Sequence, residues 1–120
     1  MDKLEQIFSR QKELDAHIID KRNLAGKYTP QEWIQKKCLA LIDETAELLN
    51  EVNYKWWKNP KEINKDAIGE ELVDMLHFWV SMCIDAGLTA ADVHNIYMQK
   101  NQENHNRQNG KSKKEGYAAE

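Results

Sequence analysis

The chain has 120 residues, 41% hydrophobic and 31% charged, with a formal net charge of −3. That balance fits one water-soluble domain with a modest core and excludes wholesale disorder. The net negative charge excludes general nucleic-acid binding over the surface, and no apolar run approaches the ~20 residues that span a membrane.

In chain order, Leu4, Ile7, Phe8, Gln11, Leu14 and Ile18 recur at helical spacing and predict a first helix to about residue 22, followed by a turn with the helix-ending Gly26. Thr29, Pro30 and Glu32 form a start signal of N-cap, first-position proline and capping-box acid. The second helix is predicted from there to about Val52, with Ile34, Cys38, Leu41, Ile42, Leu48 and Leu49 on a broad apolar face. Lys55-Trp56-Trp57-Lys58-Asn59-Pro60 breaks the pattern and reads as a connecting loop. A third helix is predicted from about Asp66 to Ala86, stopped by Gly87, with Ala67, Ile68, Leu72, Met75, Leu76, Trp79, Val80 and Cys83 facing inward. Thr89 caps a fourth helix, whose apolar content ends after Met98 and which continues as a polar extension. From Asn109 the composition turns to Gly, Ser, Lys and Asn.

The expected architecture is all-α and four-helix bundle-like, with a domain over residues 1–108 and a mobile C-terminal tail over 109–120. Several helix faces are too apolar for a lone bundle, so a two-fold homodimer is expected. Cys38 and Cys83 stand apart without metal-site spacing, and MDKLEQIF lacks the apolar segment of a secretory signal. Both features point to free thiols in a reducing cytoplasm.

Two pairs of carboxylates carry the chemical signal, Glu44-x-x-Glu47 and Glu71-x-x-Asp74. A three-residue step puts both members of a pair on one helix face, although Glu70 serves Asp74 equally well through a four-residue step. One such pair is commonly a solvated acidic face. Two pairs beside inward-facing apolar residues instead suggest a cage of hard oxygen donors, which suits Mg²⁺ and a phosphorylated substrate.

Lys100, Asn104 and Arg107 share a stripe of the fourth helix and are suited to a row of phosphates, while an ordinary solvated helix end carries similar residues. The Trp56-Trp57 pair, with Lys55 and Lys58, offers an aromatic wall beside a base or phosphate. Asp74-x-x-His77 lacks the second copy that a di-iron bundle needs, leaving His77 as a residue behind the ligands or against the base. Gln11 is either a core-edge amide or a reader of ligand. Only five glycines occur, and none forms a phosphate-cradling loop.

Glu44-Thr-Ala-Glu47, Lys55-Trp-Trp-Lys-Asn-Pro60, Glu70-Glu-Leu-Val-Asp-Met-Leu-His-Phe78 and Lys100-Asn-Gln-Glu-Asn-His-Asn-Arg107 together resemble the all-α nucleoside triphosphate pyrophosphatases, and among them the dimeric dUTP diphosphatases. The resemblance implies Mg²⁺ on Glu44, Glu47, Glu71 and Asp74, which selects Glu71 over Glu70. It implies phosphate contacts from Lys100, Asn104 and Arg107, joined by Lys58 and Tyr117. Gln11, Asp15, Trp57, His77 and Phe78 would line the deoxyuridine pocket. The implied activity is Mg²⁺-assisted hydrolysis of dUTP to dUMP and pyrophosphate, with Glu44, ahead of Glu47, as the catalytic base. The alternatives are a related pyrophosphatase acting on dCTP or altered nucleotides, and a non-enzymatic helical binding or regulatory dimer.

Overall fold

The computed structural model describes residues 1–114 and 116. Among the described residues the secondary structure is four α-helices and no strand: α1 (Lys3–Lys21), α2 (Pro30–Glu51), α3 (Lys65–Asp85) and α4 (Ala90–Gln108). No single helix is long and apolar enough to cross a membrane.

The helix starts follow local chemistry. Asp2, Thr29 and Thr89 each close a capping box with the acid three residues on, and Asn64 accepts from Asp66 N and Ala67 N at the head of α3. All four helix ends have a left-handed residue just past the cap. At α3 this is Gly87 (φ +82°), with Leu88 N–H donating to Cys83 O at 2.9 Å. The sequence expectation for α1 named Gly26, but the left-handed residue there is Asn23 (φ +55°), with Leu24 N–H donating to Ile19 O. Asparagine tolerates that region because its short amide bonds locally.

The chain divides into two compact units, residues 1–88 and 89–120. In the first, α3 packs on both α1 and α2. Lys37 Nζ meets Asp85 at 2.6 Å and Cys38 Sγ meets Met82 Sδ at 3.4 Å, so α2 runs antiparallel to α3 with its start beside the end of α3. Phe8, Val80 and Cys83 form the small core, with Gln11 and Ser81 buried among them. The expectation that Leu72, Leu76 and Trp79 point inward does not hold within one chain. They are exposed, as are Leu39, Ile42 and Leu49 of α2, because three helices supply too little surface to cover apolar faces this wide.

In the second unit α4 extends as the polar helix expected from sequence. Ser112 Oγ donates to Glu103, and Arg107 Nε donates to the same carboxylate at 3.3 Å. The Ser112 hydroxyl, with Arg107 beside it, holds the Glu103 carboxyl below its usual range.

Two glycines give opposite expectations. A Cβ at either Gly87 or Gly69 meets nothing within 4 Å, so the outcome depends on backbone conformation alone. Gly87→Ala forces a side chain into the left-handed region and should cost about 1 kcal/mol. Gly69→Ala, inside α3, should stabilise by about 0.5–1 kcal/mol. Denaturant melts of both variants check the pair of signs.

Candidate active site

The antiparallel register of α2 and α3 brings their acidic turns together. Carboxylate oxygens of Glu44, Glu47 and Glu71 lie within 4.8 Å of one another, with Glu44 and Glu71 half-buried and Glu47 exposed. Asp74 is half-buried beside them, and its charge acts on Glu44. Glu70 is exposed and outside the cluster, so the choice that spacing left open falls on Glu71.

Burial and the crowding of like charges both disfavour ionisation in the group. Partial burial, followed by Glu47 and then the remaining contacts with Glu47 and Glu44, pushes the Glu71 carboxyl up from an ordinary 4.5 to about 7. Glu44 is also raised, by burial first and then by the charges of Glu47 and Asp74. Buried Oε2 atoms of both Glu44 and Glu71 have no hydrogen-bond partner among the described residues.

A cavity of about 500 Å³ opens beside the carboxylates, with Glu44 and Asp74 in its wall. Gln11 and Asp15 of α1 and His77 and Phe78 of α3 line it, so the structure brings four of the five residues expected around a base into one place. Gln11 Nε2 donates to Asp15 Oδ1 at 2.8 Å, and Ser81 Oγ donates to Asp15 Oδ2 at 2.7 Å.

Trp57 is the one not brought there. It stands on the α2–α3 loop, 60% exposed, edge-on to Trp56 with ring centroids 4.6 Å apart. The loop is clamped by Asn53, whose side chain bonds both the N–H and the carbonyl of Lys61. Lys58 borders a separate shallow hollow on this loop. Lys100 and Asn104 are exposed on α4, where Arg107 Nη1 donates to Asn104 Oδ1 at 3.4 Å. Tyr117 lies outside the described residues.

Sequence reasoning missed Trp33 and Ser81, both of which line the cavity. Helical spacing held the signal. Trp33, Lys37, Ala40 and Glu44 form one stripe of α2, and Ser81 follows Asp74, His77 and Phe78 along α3 as a lone hydroxyl in an apolar run.

A family model described as dUTPase matches residues 3–90, well over half of the chain. The chain belongs to the dUTPase family. No curated protein and no solved structure gives a significant match. The matched segment contains the three clustered glutamates, Asp74 beside them and the cavity residues, and membership supports dUTP diphosphatase activity.

A divalent metal is general among dUTPases, and the donor set here fits one. Three carboxylates converge, two buried oxygens lack a hydrogen-bond partner among the described residues, and all the donors are hard oxygens. In this dUTPase the fit has a consequence for the metal-free protein. Folded Glu71 keeps its proton up to about pH 7, whereas the unfolded chain releases it near 4.5. The folded state therefore binds the extra proton between those values, and stability should fall as pH rises through that window. Glu71→Gln should flatten the slope. Thermal melts in chelator across this range check it, and equal slopes for both proteins would contradict the crowding.

Proposed function

We propose that the chain hydrolyses dUTP to dUMP and pyrophosphate with Mg²⁺ as its cofactor. The observation that carries this reading is the shared wall: Glu44 and Asp74 line the same cavity as Gln11 and His77, so a base pocket adjoins a cluster of metal-type ligands. Glu44, Glu47, Glu71 and Asp74 would hold the metal, which supplies charge neutralisation for the phosphates and a more acidic bound water. Glu44 is the proposed base. The proton from the attacking water would pass to one of its carboxylate oxygens. Water adds across one phosphoanhydride bond, releasing dUMP and pyrophosphate.

Gln11, Asp15, His77 and Phe78 would surround the deoxyuridine, with the Trp33 ring as the aromatic wall in place of Trp57. Lys100, Asn104 and Arg107 are proposed for the phosphates, with Lys58 and Tyr117 as further candidates. A phosphate at Arg107 would compete with Glu103 for the guanidinium. The catalytic domain is proposed to span residues 1–108 with 109–120 as a tail. Free thiols at Cys38 and Cys83 suit a cytoplasmic setting.

A homodimer is part of the proposal. Leu39, Ile42 and Leu49 recur along the outer face of α2 at 68%, 65% and 41% exposure, a stripe that a second copy would cover. Sedimentation equilibrium should return twice the chain mass, and Ile42→Glu should shift it toward one chain. A wild-type monomer at micromolar concentration would remove the dimer from the reading.

The metal role is tested separately. Glu71→Gln should keep its helices by circular dichroism but lose dUTP turnover by about 10²-fold or more, and chelation of wild type should do the same, with recovery on adding Mg²⁺. Turnover that survives both would sink the assignment of these carboxylates.

A further inference from the structure

Asp15 lies one turn beyond Gln11 on α1, and both of its carboxylate oxygens are engaged within the protein. Oδ1 accepts from Gln11 Nε2 and Oδ2 accepts from Ser81 Oγ. Gln11 is 7% exposed and Ser81 2% exposed, so neither exchanges these bonds freely with water. An ionised carboxylate only accepts, and each neighbour must therefore donate. For Gln11 this decides which end of the amide faces Asp15. The NH₂ turns toward it and Oε1 turns away. Reversing the amide would set two acceptors against each other in a buried place, leaving both without a donor.

The orientation matters because a carboxamide is ambidextrous. It carries an acceptor and a donor side by side. One way round, these match the N3–H and an adjacent carbonyl of uracil. Turned over, they match the bare N3 and the 4-amino group of cytosine equally well. A glutamine free to flip would read both bases.

We infer that Asp15 and Ser81 are positioning residues that hold the Gln11 amide in the one orientation complementary to uracil, and that this lock sets the preference for uracil over cytosine. The inference rests on the proposed assignment of the cavity to the base. Asp15 borders the cavity but sets the preference through Gln11, and Ser81 does so through Asp15. Ser81 sits on α3 two turns beyond Asp74, so its hydrogen bond ties the Gln11–Asp15 pair on α1 to the helix that carries Glu71 and Asp74.

The test compares kcat/KM for dUTP and dCTP in wild type, Asp15→Asn, Gln11→Ala and the double variant. Asp15→Asn keeps the shape but offers either a donor or an acceptor to Gln11, so the amide can turn over. The dUTP-to-dCTP ratio should fall about tenfold or more, with dCTP efficiency rising, a gain that loss of structure would not produce. In the Gln11→Ala background Asp15→Asn should change the ratio no further. Ser81→Ala should move it in the same direction by less, and it carries the comparison if Asp15→Asn does not fold. A wild-type ratio in Asp15→Asn, beside a narrowed ratio in Gln11→Ala, overturns the positioning role alone. An unaltered ratio in Gln11→Ala overturns the base reading of the cavity and the inference with it. An equal effect of Asp15→Asn with and without Gln11 means that Asp15 reads the base itself, which also overturns the inference.

Discussion

Mutual repulsion among carboxylates held between α2 and α3 is the constraint on which the other features of the first unit depend. Three glutamates converge within 4.8 Å, and two of their oxygens are buried without a hydrogen-bond partner among the described residues. A surface that served stability alone would place a lysine there or leave the oxygens in water, since an unpaired buried polar atom costs on the order of 1–3 kcal/mol. The protein instead concentrates the charge and raises the carboxyls of Glu44 and Glu71. Oxygens crowded this way suit a cation, whose charge would offset the repulsion. Favourable packing must then come from elsewhere on the same two helices.

That packing is lean. Within a single chain the core of the first unit reduces to a few residues around Phe8, Val80 and Cys83, while the wide faces of α2 and α3 stay open. The Ser81–Asp15–Gln11 chain crosses from α3 to α1 beside that core, with Gln11 and Ser81 buried and Asp15 half-buried on the cavity wall, so the proposed specificity element shares two side chains with the core.

Much of this was legible in the sequence, because helix starts are local chemistry. Thr29 with Glu32 and Thr89 with Asp92 announce their capping boxes without reference to any other part of the chain, and the structure starts α2 and α4 immediately after them. The E-x-x-E and E-x-x-D steps were equally readable, since helical geometry alone puts each pair on one face. Less legible was anything that needs two helices at once. Spacing could not separate Glu70 from Glu71, because each shares a face with Asp74 and only the approach of α2 distinguishes them. Trp33 went unnoticed because a lone aromatic near a helix start looks like ordinary core until α1 and α3 are set against it. Leu72, Leu76 and Trp79 were assigned inward for the opposite reason: periodicity reports which face is apolar, and says nothing about which molecule covers it.

The Lys37–Asp85 pair gives the helix couple an asymmetric response to ionic strength. Its side chains are only 14% and 16% exposed, so dissolved ions reach it poorly, and the attraction that fixes the register persists in concentrated salt. Glu47, at the other end of the couple, stands in solvent. Added electrolyte there shields like charges from one another. One end of α2–α3 should thus be nearly blind to the medium while the other relaxes as counter-ions gather, so a metal-free chain should be held more firmly in brine than in dilute buffer.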